Sequence, residues 1–317
     1  MRLLGRVLGT DHLPAPYNPF VELERVNPLL RRELKLVQQG QPHYVLALYD
    51  NQFLRIAVVI HALSMCGCCL ASASAVPLMP IMTLTLPSLI ISIGADCYAN
   101  VRTIFRWHSA SQRETWDAMR LAMRDDEELI STYETIGNVR SWTGFRLDMT
   151  MRAVPAAILA VVGAALIIGA LVSLLLSIRP DPMQVIELIL MGFFFIRVAI
   201  LYISDPRWRF RTNTIWSLLC AIRFHDTAAA ITVAIAGNLG VRLLHLSSLF
   251  AIYLASNEAL GGEMVFGGRL DVPMAIRWFA WFAVLVFWLL PITRWGYTTV
   301  YNWLKTRACE ALRTDEV

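Results

Sequence analysis

Charge is scarce in this chain: only 16% of its 317 residues are Asp, Glu, Lys or Arg, against 56% hydrophobic, and the mean hydropathy is +0.53. A soluble domain of this size carries about 25% charged residues, so the composition argues against one. Catalytic signatures are missing too. No H-E-x-x-H, G-x-S-x-G or dinucleotide fingerprint occurs, and the glycines of EALGGEMVFGGRLD are not followed by the Gly-Lys-Ser/Thr of a phosphate loop. Histidines stand alone at 12, 43, 61, 108, 225 and 245, with no pair four residues apart. Cysteine is sparse at six residues, and Cys66, Cys68 and Cys69 sit in an apolar run without the paired knuckles of a zinc site. They read as small packing residues. The sequence therefore predicts no catalytic site, no metal site and no cofactor held by this chain.

What it does have is long apolar runs. Six of them, approximately 54–76, 81–99, 153–178, 183–203, 227–255 and 272–292, each approach the length needed to cross a bilayer. A helix needs about 20 apolar residues to cover a ~30 Å hydrocarbon core. The expected fold is all-α, a polytopic membrane protein with six transmembrane helices. Around that domain (54–293) lie an N-terminal segment (1–53), a helical loop (about 100–152), an outer segment (about 256–271) and a tail (294–317).

Orientation follows from where the cations fall. Arg2, Arg6, Arg25, Arg31, Arg32 and Lys35 precede the first run, Arg102, Arg106, Arg113, Arg120, Arg124 and Arg140 follow the second, and Arg146 and Arg152 lie beside the third. Arg207, Arg209, Arg211 and Arg223 follow the fourth, and Arg294, Lys305, Arg307 and Arg313 follow the sixth. The opposite side carries Arg179 and Arg269 in its loops. By the positive-inside rule both termini and the basic loops are cytoplasmic in a multi-pass protein of the cell membrane. The opening MRLLGRVLGTDHLPAP has too short an apolar run for a signal peptide and is expected to stay cytoplasmic. The net charge of +4 is a consequence of topology, and no nucleic-acid partner is inferred.

Pro28 to Gln39 reads as an amphipathic helix lying along the inner interface, with Asn27 as N-cap and Pro28 at its first position. In the loop, Asp125 to Glu128 suit the first turn of a helix running through Leu129, Ile130 and Tyr133. Trp116, Met119 and Met123 share one helical face, which packs either on the ends of the chain's own spans or on a protein partner. The fifth run is interrupted by Gly237, Asn238, Gly240, Arg242 and His245, and a broken or tilted span is expected there.

Ionisable groups at membrane depth are costly and become functional candidates by default. They are Asp96, Arg197, Arg242 and His245, and depth and sign alone pair Asp96 with Arg197.

At this point the residues carry a resemblance. NPLLRREL, with Asn27, Pro28, Arg31, Arg32 and Glu33, is similar to the segment that opens the membrane subunits of type-2 ABC exporters. That family places an interfacial elbow helix there. Glu114-Thr115-Trp116-Asp117-Ala118-Met119-Arg120-Leu121 resembles the family's stretch beside the coupling helix. The chain departs from the pattern before Thr115, where Ser109 to Arg113 replaces a Gly-Glu-Arg run, and after Leu121, where a threonine-proline-leucine segment is missing. The resemblance implies a permease subunit without catalysis of its own. It also implies ATPase coupling through Glu114, Thr115, Trp116, Asp117, Arg120 and Leu121, a separate ABC-type ATPase binding ATP and Mg, and a second permease subunit as homo- or heterodimer. The alternative is a non-transporting scaffold or anchor within a larger membrane complex.

Overall fold

The computed structural model describes residues 51–71, 79–112, 116, 120, 123, 125–176, 182–259 and 272–314. Asn27, Pro28, Arg31, Arg32 and Glu33 of the expected elbow, and Glu114, Thr115, Asp117 and Leu121 of the expected coupling stretch, lie outside them.

Among the described residues all regular structure is helical, and the fold is all-α. The helices are α1 (Asn51–Ala71), α2 (Met79–Ser111), α3 (Asp126–Arg140), α4 (Trp142–Leu176), α5 (Pro182–Arg223), α6 (Thr227–Ala259) and α7 (Val272–Thr314). At ~1.5 Å per residue, the 42 residues of α5 and the 43 of α7 extend for about 63 and 64 Å. That is twice the thickness of a ~30 Å hydrocarbon core.

Two stretches, Trp142–Leu176 and Leu188–Arg223, are long and apolar enough to cross a membrane, and only 11% of the most apolar part of each is buried within the protein. Val161, Leu174, Leu175 and Leu176 of α4 all point outward. The helix at the heart of a soluble fold would be mostly buried instead. The other four apolar runs coincide with α1, α2, α6 and α7.

Packing divides along the helix axes. On the apolar side α4 and α5 make the most extensive contact in the protein, through Ala156, Leu159 and Ala199. On the other side the ends of α2, α5, α6 and α7 converge with α3 around a separate core that includes Ile104, Trp107, Leu129, Ile130, Tyr133, Leu218, Ala234, Leu304 and Ala308. This helical bundle extends past the apolar stretches and supplies the buried surface that they leave to their surroundings.

Local signals explain the ends. Asp126, Glu127 and Glu128 occupy the first turn of α3 as expected, while Asp125, expected there too, is its N-cap, the carboxylate accepting the Glu128 amide at 2.7 Å. Between α5 and α6, the Asp226 carboxylate accepts from the Ala229 amide at 2.9 Å. His108 clamps this corner. Its Nε2 donates to the Ala221 carbonyl at 2.9 Å, which leaves Nδ1 to accept from the Thr227 hydroxyl at 2.7 Å.

The fifth apolar run is one continuous helix, so of the two expectations, a broken or a tilted span, the break is not found. Packing replaces what the glycines give up. A Cβ on Gly237 would lie 2.7 Å from the Trp216 ring, so the small residue is what admits the indole. Asn238 donates to Asn213 at 2.6 Å instead of disrupting the backbone.

Candidate functional site

Where the apolar stretches give way to the bundle, polar residues line up along the helices at four-residue spacing. On α2 the row is Ser88, Ser92, Asp96 and Asn100, all buried. On α5 it is Asp205, Arg209, Asn213 and Ser217; α4 supplies Asp148 and Arg152, α6 supplies Asn238 and Arg242, and α7 supplies Tyr297 and Tyr301. Side chains four apart stack on one face of a helix. Facing rows therefore meet in register.

They form a single connected network. Arg209 Nε donates to both oxygens of Asp96 at 3.2 and 3.1 Å and its Nη1 donates to Asp205 at 2.6 Å, while Nη2 reaches Asp148. Arg152 donates to Asp148 at 3.0 Å, to Asp205 at 3.0 Å and to the Ser92 hydroxyl at 3.0 Å. Arg242 closes the ring from α6. Its Nε donates to Asp96 at 3.1 Å and its Nη2 donates to Ser92 at 2.8 Å and also to Asp96. Among the described residues three carboxylates thus face three guanidiniums, Arg152, Arg209 and Arg242, and their charges balance. A buried charge is tolerated only when paired and hydrogen-bonded, and each of these is.

The rim is neutral and polar. Tyr297 donates to Asp205 at 2.8 Å, Asn213 donates to the Asp96 carbonyl at 3.2 Å, and Ser217 donates to Asn100 at 2.7 Å. Ser88 and Tyr202 share a hydrogen bond, and the Arg152 guanidinium lies 4.8 Å from the Tyr202 ring centroid. One turn further along, Arg211 donates to Glu134 at 2.9 Å and lies 4.0 Å from the Tyr301 ring centroid, while Tyr301 donates to Glu134 at 2.6 Å. Burial first, and then the Glu134 carboxylate, pushes the Tyr301 phenol well above its ordinary range; burial and Asp205 do the same to Tyr297.

Of the residues singled out from sequence, Asp96 and Arg242 meet at the centre of this network. Arg197 does not. The expected Asp96–Arg197 pair is replaced by Asp96 with Arg209 and Arg242, and among the described residues Arg197 makes no ion pair. Residue 197 falls twelve positions before Arg209 on α5, which is about 18 Å along a helix axis, so it cannot share the same carboxylate. His245 belongs to α6, but its side chain is outside the described set. Trp116 is wedged between Trp107 of α2 and Tyr133 of α3, with ring centroids 5.2 and 5.9 Å away, and Met123 packs on the same core. Trp116 and Met123 thus rest on the chain's own helices, while Met119 of the same expected face lies outside the described residues. Arg120 lies 3.9 Å from Asp126.

Sequence reasoning passed over Ser92, Asp148, Arg152, Asp205 and Arg209. Arg152 and Arg209 counted as loop cations marking the inner side, yet both are buried. Their signal was the carboxylate four residues before each. Among the described residues no three His, Cys, Asp or Glu side chains are grouped to hold a metal ion.

Fold and site together define an all-α protein with membrane-length apolar helices joined to a helical bundle across a buried, charge-balanced network. No family, curated protein or solved structure matches the chain.

Proposed function

We propose that the chain is the transmembrane permease subunit of a two-component ABC-2 type exporter. In this reading six helices cross the cell membrane, both termini are cytoplasmic, and a separate ATPase subunit binds ATP and Mg. The permease works with a second copy or a homologous partner. The observation that carries the proposal is the seat of Trp116. The residue sits in the stretch that resembles the coupling segment, and its ring contacts both the extension of α2 and α3. A push on that stretch is delivered to α2, hence to Asp96 and the network that joins α2, α4, α5, α6 and α7. Population shift between two packings of such a network is the physical form that ATP-driven alternating access takes.

A photoreactive residue in place of Arg120, activated in native membranes, tests the reading. The expected adduct is a protein with a Walker A loop and an ABC signature. Adducts that lack any such ATPase contradict it.

A second reading, a non-transporting scaffold or anchor of a larger membrane complex, is favoured by the internal balance of the network. Three cations fully paired with three carboxylates are what a fixed helix packing requires. A scaffold would use the face around Arg120 for a partner other than an ATPase.

A further inference from the structure

Arg197 is the guanidinium that the network leaves out. It is half-buried on α5, and among the described residues it makes no ion pair, hydrogen bond or ring contact. It lies five positions after Gly192 and eight before Asp205, about 7.5 Å from the close crossing with α4 and about 12 Å from the network along the axis. Side chains on a helix lean toward its N-terminus. The Arg197 side chain therefore starts away from the network, toward the apolar half of α5.

A cation at that depth needs an anion, and the chain has none to offer. No Asp or Glu occurs over 188–204 of α5, 153–176 of α4 or 272–309 of α7, nor over 51–71 of α1, 79–95 of α2 or 227–257 of α6. Asp96 is already held by Arg209 and Arg242. Glu187 lies ten positions before Arg197 on the same helix, about 15 Å along the axis. A second copy crossing in the same direction would bring the same helices to the same depth, and so no carboxylate. The counter-charge has to come from another kind of molecule.

The surroundings select its chemistry. The planar guanidinium fork matches the oxygens of a phosphate or carboxylate. Around it α5 reads Phe-Phe-Phe-Ile over 193–196 and Val-Ala-Ile-Leu over 198–201. A small hydrated anion would exchange its water for one cation among apolar groups, which is unfavourable. An anion that carries hydrocarbon chains keeps those chains in apolar surroundings while its head meets Arg197.

We propose that Arg197 binds the anionic head, phosphate or carboxylate, of an amphipathic molecule. In the permease reading this is the chemical class of the cargo. The inference rests on that reading only for the crossing of the membrane by α4 and α5, and makes no use of the ATPase.

The test uses the full chain in nanodiscs of equal parts phosphatidylglycerol and phosphatidylcholine, with a photoreactive residue in place of Phe193, one turn from Arg197. Phosphatidylglycerol adducts should exceed phosphatidylcholine adducts by about fivefold, the worth of one basic residue against an anionic headgroup. Arg197→Gln should reduce the ratio to parity and Arg197→Lys should keep most of it. Arg197→Gln breaks no pair and should fold; where Phe193 does not tolerate replacement, Ile200 takes the photoreactive residue instead. Val161, exposed on α4 two positions before Gly163 and so close to the level of Phe193, is the control and should capture both lipids equally. In native membranes the adduct at 193 should be an acyl-bearing anion, and its mass separates a bilayer phospholipid from another amphiphile. Parity at 193 with lipid captured at 161 overturns the proposal and leaves the membrane reading standing. Lipid captured at neither position removes the membrane reading, and the inference with it. A preference abolished by inorganic phosphate, but not by chloride at equal ionic strength, overturns the amphipathic class, as does a native adduct that is a neighbouring protein.

Discussion

Gly163 of α4 and Gly192 of α5 face each other so closely that a Cβ built on either would lie 2.6 Å from the carbonyl oxygen of the other. Both contacts are with backbone, which cannot step aside as a flexible side chain would. Small residues at such a crossing let two helices approach, which is how association is achieved where lipid removes the hydrophobic drive between helices. Either Gly→Ala change should destabilise the protein by about 1 to 3 kcal/mol, the usual cost of overpacking. Gly169 on α4 is the internal control, since nothing lies within 4 Å of its added Cβ. There alanine should be neutral or stabilising by up to ~1 kcal/mol through helix propensity. Thermal unfolding of the three variants in one detergent checks the contrast.

Asp148 and Arg152 form a buried pair one turn apart on α4, 3.0 Å between Oδ1 and Nε. Replacing one member strands a charge, and Asp148→Asn or Arg152→Gln alone should each cost about 3 to 5 kcal/mol. The double replacement keeps the shape and removes both charges. It should cost less than the sum of the singles by about 1 to 3 kcal/mol. Additive effects in a double-mutant cycle would show that the two charges do not depend on each other.

The legible part of this architecture was the part written in runs. Long apolar stretches and loop cations pointed to the helices, and the acidic run Asp125 to Glu128 marked where α3 begins. The network was written in a weaker code. Asp205 with Arg209, or Asp148 with Arg152, looks like an ordinary exposed pair at four-residue spacing on a helix. Such pairs become a buried site only when α2, carrying Ser92 and Asp96, lies against both. That is tertiary information. The depth argument found Asp96 and Arg242 because each interrupts an apolar run, but it chose Arg197 as the partner for the same reason and was wrong. Likewise the glycines of the fifth run suggested a break or a tilt, and the Trp216 ring that fills the space beside Gly237 and goes with an unbroken helix could not be foreseen from α6 alone.

Tyr297 and Tyr301 supply a pH dependence. Both phenols are held above their ordinary range by burial and by a neighbouring carboxylate, Asp205 and Glu134 respectively. In the unfolded chain they ionise near pH ~10. The folded state keeps their protons beyond that point, so it binds more protons than the unfolded state and stability falls as pH rises. The contribution is complete below pH ~10 and is lost as pH climbs toward the folded-state values. Tyrosinate absorbance should rise in two stages among the nine tyrosines, the late stage coinciding with loss of helix. Tyr301→Phe should shrink that late stage.

Trp116 contributes to the bundle whatever binds outside it. Its contacts with Trp107 and Tyr133 should each be worth about 0.5 to 1.5 kcal/mol beyond area burial. Trp116→Ala should therefore lower the stability of the bundle and expose the half of α2 that carries Trp107 to faster amide exchange. Trp116→Phe should recover most of that loss. An unchanged exchange pattern in the alanine variant would mean that the loop is not mechanically joined to α2.

The permease reading is tested most directly by what the protein holds in its own membrane. The measurement is to tag the chain at its C-terminus, solubilise native membranes in mild detergent, and identify by mass spectrometry the proteins recovered in stoichiometric amounts. The account predicts an ATPase with Walker A and ABC signature motifs, lost when Trp116→Ala is combined with Arg120→Glu. A stoichiometric set of membrane-complex subunits with no such ATPase would contradict it and establish the scaffold instead.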